Sequence, residues 1–88
     1  MAKVLVRYWA AAKEAAGTPD ESMEAETLQD ALAKAIAGRA NETGRRFAAV
    51  LARSSFLVDG QQVGRRIAES YSLWDGAVIE VLPPFAGG

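Results

Sequence analysis

The chain contains no cysteine and no histidine. Without cysteine there is no disulfide, no thiolate nucleophile and no thiolate metal site. Without histidine the commonest general base and the commonest transition-metal ligand are missing. Ser, Lys and carboxylate chemistry remain, but no GxSxG, Walker-type loop or HExxH occurs to organise them. Catalysis by this chain's own side chains is not expected, nor is a bound metal or cofactor. No apolar run approaches the ~20 residues of a membrane span, and the opening MAKV is not a signal peptide. The expectation is a cytoplasmic protein with no membrane partner. An excess of either charge is lacking too: 10 Lys and Arg face 11 Asp and Glu, for a net charge of −1. The cations are scattered, so a phosphate-binding face and a nucleic-acid partner are not expected.

What is present suits one small domain. The 88 residues are 50% hydrophobic and 24% charged. A chain of that length buries roughly 60–70% of its unfolded surface in a single core. KVLVRYW (residues 3–9) reads as a strand, with Val4, Val6 and Tyr8 on the core face and Lys3, Leu5, Arg7 and Trp9 on the other. AAAKEAAG (10–17) reads as a short helical turn closed by glycine, and TPDE as a loop. ESMEAE (21–26) reads as a second strand with Met23 and Ala25 inward. TLQDALAKAIAG (27–38) is the clearest helix, with Thr27 as cap, Asp30 as reciprocal acceptor, and Leu28, Leu32, Ala35 and Ile36 on one face. NETGRRFAAVLARS adds a helix with Phe47, Val50 and Leu51 as its apolar stripe. SFLVDGQQV (55–63) is a strand, a tight turn at Asp59-Gly60 and a short return strand. A second Asp-Gly turn, Asp75-Gly76, leads into a last strand over 77–82, which Pro83 and Pro84 stop.

The order β, β, α, β, short β, β is most economically satisfied by a main helix across one face of a small mixed sheet, with the first and last strands parallel in its middle. That α+β arrangement is the ubiquitin-like β-grasp. Residues 1–82 would form the domain and 83–88 a tail. The chain ends VLPPFAGG, with two glycines at a position where no turn remains to be made.

KVLVRYWAAAKEAAG at the front and SLWDGAVIEVLPPFAGG at the back resemble the MoaD/ThiS family of sulfur carriers, most closely its MoaD branch, which serves molybdopterin synthesis. The resemblance spans nearly the whole chain but is specific only in those two stretches; residues 41–53 match any helical filler. It departs from the family at Ala77, where an acidic residue often follows the Asp-Gly turn. That change reads as affecting a turn and a surface charge. The resemblance implies that the carboxylate of Gly88 is the reactive group. A ubiquitin-activating-like adenylyltransferase would adenylate it with ATP, and a sulfur donor protein would supply sulfur to give a thiocarboxylate. The large subunit of molybdopterin synthase would then receive Phe85, Ala86, Gly87 and Gly88 in its active site and supply the catalytic side chains. The chemistry is compatible: an α-carboxyl has a pKa near ~3.5, so at neutral pH it is ionised and a poor electrophile until activated. Two glycines make the thinnest peptide, and residues 84–88 extend at most about 17 Å. The prolines stiffen the base of the tail, and 85–88 are expected to be mobile in the absence of a partner.

The remaining surface is open to more than one reading. Trp9 is either core or, with Leu5 and Leu82, part of an outer-face patch for a partner. Trp74 reads as a partly buried lid beside its turn. The pairs Arg45-Arg46 and Arg65-Arg66 read as solvated surface, and so does Lys13-Glu14, which the resemblance also allows as interface. The rival functions are a sulfur carrier for thiamine or cysteine synthesis, a ubiquitin-like modifier joined to lysines through Gly88, and a binding module with an inert tail.

Overall fold

A computed structural model describes residues 1–84. Strands β1 (Ala2–Tyr8), β2 (Asp20–Ala25), β3 (Ser55–Val58), β4 (Gln61–Val63) and β5 (Val78–Leu82) form one sheet in the order β2-β1-β5-β3-β4. Three helices, α1 (Ala10–Ala16), α2 (Leu28–Ala37) and α3 (Asn41–Leu51), share its inner face with a 3₁₀ turn at Arg65–Ile67. The first and last strands run parallel through the middle, with Leu5 opposite Val78 and Tyr8 opposite Val81. The fold is a ubiquitin-like β-grasp with a mixed five-stranded sheet. The main helix expected from the sequence is joined on its face by two others.

Alternation along the strands sorts their side chains. Val4, Val6, Tyr8, Ala25, Phe56, Val58, Ile79 and Val81 join Ala12, Leu28, Ala31, Leu32, Ala35, Phe47 and Leu51 of the helices in one buried cluster. Ile36, Val50 and Met23 pack against it only partly buried. Thr27 caps α2 by accepting the Asp30 amide at 3.1 Å. The reciprocal bond goes one residue further back than the capping-box reading placed it: the Asp30 carboxylate accepts the Glu26 amide at 3.0 Å. That amide holds the Asp30 carboxyl below its usual range.

Two glycines matter locally. Asp59 and Gly60 both have positive φ, 48° and 84°, as the two-residue turn between β3 and β4 requires. Gly44 lies where the chain entering α3 crosses close: a Cβ there would stand 2.6 Å from the Arg39 carbonyl oxygen. The exposed edge of the sheet at β2 is blunted, a standard protection against edge-to-edge pairing. The Lys34 ammonium donates to the Glu24 carbonyl at 2.7 Å, and the Thr18 hydroxyl to the Asp20 carbonyl at 2.9 Å.

Two surface readings need correction. Ala77 is fully buried and precedes the strand, so the residue after the Asp-Gly turn fills core space and presents no surface. Its carbonyl accepts the Leu5 amide at 3.0 Å, joining the start of β5 to β1. Arg65 is not merely solvated: its Nη2 donates to the carbonyls of Leu51 (2.8 Å) and Ser54 (2.7 Å), satisfying the C-terminus of α3. Its guanidinium lies 5.3 Å from the Phe56 ring centre. Arg45 and Arg46 are exposed as expected, and Arg45 pairs only loosely with Glu42, at 3.6 Å.

Candidate functional site

β5 ends at Leu82, so the chain leaves the sheet from a central strand, flanked there by the ends of β1 and β3. Of the sequence-predicted tail residues, Phe85, Ala86, Gly87 and Gly88 lie outside the described residues, and so does the expectation about their motion. The scaffold around the exit is described. Ser55 of β3 pairs with Leu82, and the Trp9 amide donates to the Val81 carbonyl at 3.2 Å.

The face of the sheet away from the helices carries the other predicted residues. Leu5 and Leu82 are half-buried there. Two more apolar side chains stand beside them, Leu57 on β3 and Val78 on β5, also half-buried. Leu5 faces Val78 across the parallel pair. The sequence reading overlooked these two, although Leu57 alternates with Phe56 and Val58, and that alternation was the signal available. Around them lie Lys3, Arg7, Ser22 and Glu80 on the same face, by the register of β1 with β2 and β5.

Trp9 belongs to this face rather than to the core. It is 47% exposed, and its indole N–H donates to Glu80 Oε1 at 3.2 Å. β1 stops at Tyr8, and α1 must start at once on the opposite side of the sheet. The turn is made by Ala10, which holds a φ of 48°. That left-handed conformation costs an L-residue about 1 kcal/mol, and it leaves Trp9 on the outer face.

The inner face contains a polar group that sequence reading missed. Arg39 donates to the Ala16 carbonyl through Nε and Nη2 (3.1 and 3.0 Å) and to the Ala35 carbonyl at 2.7 Å. Its Nη2 also pairs with Glu21 Oε2 at 2.9 Å, with the Arg39 side chain only 10% exposed. Its guanidinium lies 4.4 Å from the Phe47 ring centre. The Tyr8 hydroxyl donates to the same Glu21 oxygen. Burial first, and then that hydrogen bond to Glu21, push the Tyr8 hydroxyl far above its ordinary range, so it stays a donor. This cluster ties β1, β2 and the ends of α1 and α2 together.

Trp74 is more exposed than its reading as a partly buried lid implies. It is 44% exposed, its indole N–H donates to Asp59 Oδ2 at 2.8 Å, and its ring tilts against Tyr71. It stands at the start of β5, at the far end of the sheet from the tail exit. Lys13 and Glu14 are exposed on α1. Among the described residues no group of three or more His, Cys, Asp or Glu side chains could hold a metal ion. No described helix is long and apolar enough to cross a membrane.

The model of the ThiS family matches residues 6–88. No curated protein is a significant sequence relative. Among solved structures, the small archaeal modifier protein 1 of Methanosarcina acetivorans is 26% identical, with a TM-score of 0.77 over 100% of this chain and 98% of that one. The complex of subunits 1 and 2 of the molybdopterin-converting factor of Helicobacter pylori contains a chain 22% identical, with a TM-score of 0.68 over 98% and 99%. The small archaeal modifier protein 1 of Haloferax volcanii is 18% identical, with a TM-score of 0.73 over 98% and 99%.

Proposed function

The chain belongs to the ThiS family of small ubiquitin-like sulfur carriers, and from that premise we propose that Gly88 carries sulfur as a C-terminal thiocarboxylate for molybdopterin synthesis. The observation that carries the reading is that the family match runs through the last residue, so the glycine terminus lies within the matched pattern. A partner adenylyltransferase activates the terminus: a carboxylate oxygen attacks the α-phosphorus of ATP and pyrophosphate leaves. A persulfide on a donor protein then attacks the carbonyl carbon and AMP departs, giving an acyl disulfide. A second thiol cleaves its S–S bond, the donor leaves as a disulfide with that thiol, and sulfur stays in place of one oxygen. The large synthase subunit takes the tail and supplies the catalytic groups that convert the pterin precursor to its dithiolene.

This chain's part is to present the terminus. Pro83 and Pro84 project it beyond β5, and the face bearing Leu5, Trp9, Leu57 and Leu82 seats the partner while 85–88 reach inward. In the H. pylori structure the related subunit 1 stands in complex with subunit 2, which supports a seat of this kind. A second reading, protein modification through an isopeptide bond, is favoured by the likeness to small archaeal modifier protein 1.

Intact mass after incubation with ATP, a sulfur donor and the adenylyltransferase of the same organism separates the two. An oxygen-for-sulfur gain supports the carrier, a covalent protein adduct supports the modifier, and an unchanged mass removes both. Deleting Gly87 and Gly88 should abolish loading completely, while stability stays within about 0.5 kcal/mol, the usual range for surface changes. A truncated chain that still accepts sulfur would place the reactive group elsewhere.

A further inference from the structure

The outer face looks apolar, yet a carboxylate stands in the middle of it. Glu80 is the central residue of β5, with Val78 and Leu82 as its same-face neighbours along the strand and Leu57 directly opposite on β3. One oxygen, Oε1, accepts the Trp9 indole N–H at 3.2 Å. Arg7 is its register partner on β1, but among the described residues the two side chains form no ion pair. Arg7 also faces Asp20 across the antiparallel pair, and Lys3 faces Glu24. Arg7 thus stands between Asp20 and Glu80 with an ion pair to neither among the described residues, and Glu80, bordered by Leu57, Val78 and Leu82, is held by one neutral donor.

We infer that Glu80 is the specificity-determining group of this face, and that the large synthase subunit seated on it presents a lysine or arginine to this carboxylate. The inference rests on the proposed use of the face as the partner seat. A partner covering Leu5, Leu57, Val78 and Leu82 also excludes water from Glu80. A carboxylate buried without a counter-charge is strongly unfavourable, because one neutral hydrogen bond does not replace its hydration. An apolar surface of matching shape is thereby rejected, and one carrying a cation at the right place is accepted. Charge placed this way selects partners more than it adds affinity. Trp9 acts as a positioning residue: its N–H fixes one carboxylate oxygen and leaves the other for the incoming cation.

The test is calorimetric titration of the large synthase subunit of the same organism with wild-type chain, Glu80→Gln, Glu80→Lys and Leu82→Asp, at low and high salt. Glutamine keeps the shape and the acceptor for Trp9 but removes the charge. Glu80→Gln should weaken binding at least tenfold and flatten its salt dependence, and Glu80→Lys should weaken it at least a hundredfold. Thermal midpoints of both should match wild type. Glu80→Gln binding within twofold of wild type, or tighter, overturns the inference while Leu82→Asp still shows the face to be the seat. If Leu82→Asp also binds normally, the seat itself is elsewhere and both readings fall.

Discussion

Two glutamates on neighbouring parts of one sheet live opposite lives. Glu21, facing inward from β2, holds Arg39 and the Tyr8 hydroxyl on a single oxygen. Glu80, facing outward from β5, holds one indole N–H. The inner face contains no buried side-chain polar atom without a partner among the described residues. Its polar groups are spent on holding elements together, so they belong to stability. The outer face leaves a carboxylate, an exposed tryptophan and half-buried leucines incompletely covered, a combination typical of contact surfaces. On the proposed use of the outer face, the difference separates the charges that build a small domain from one kept for another molecule.

The sharpest way to break this division is Arg39→Ala. It leaves the Ala16 carbonyl without its side-chain donor and the Glu21 carboxylate with the Tyr8 hydroxyl but no cation, and should lower unfolding free energy by about 3 kcal/mol, at the low end for a broken buried pair because Glu21 is partly exposed. Urea denaturation measures it; a loss below about 1 kcal/mol would show the inner cluster to be incidental. Leu82→Asp should do the reverse. It should weaken partner binding by about 2 kcal/mol while circular dichroism and the urea midpoint stay close to wild type. An unfolded Leu82→Asp would make Leu82 core and erase the distinction between the faces. The smallest effect is expected at Ala10→Gly. Relief of the left-handed alanine should outweigh the added freedom of the unfolded chain, giving about 0.5 kcal/mol of extra stability. A destabilised variant would mean that the turn placing Trp9 outward is not strained.

Local features were legible from the residues. Thr27 with Asp30, Asp59 with Gly60, and the alternation of Val4, Val6 and Tyr8 each declare a cap, a turn or a face within a few positions. The parallel pairing of the end strands followed from element order. The features that were not legible join distant positions. Nothing near Arg39 marks it as the donor to residues 16 and 21, and nothing near Arg65 marks it as the closing group of α3. Ala77 was misread because a small residue after a turn carries no sign of burial until β1 is laid beside it. The outer-face patch was half legible: Leu5, Trp9 and Leu82 followed from alternation on β1 and β5, whereas Leu57 depended on knowing that β3 lies next to β5. The role of Gly88 came from resemblance, and its chemistry from the nature of a carboxyl terminus.

The parallel pairing of β1 with β5 also decides how the domain bears load. The chain's two ends leave opposite ends of the same central ladder, from Leu5 opposite Val78 to Tyr8 opposite Val81. A pull on the tail against the N-terminal end therefore acts along the strands, across inter-strand bonds that run sideways. The bonds are strained together in shear, and cannot be opened one after another as in a peeled hairpin. A domain withdrawn by its last residues from a tight channel meets that pull in its stiffest direction.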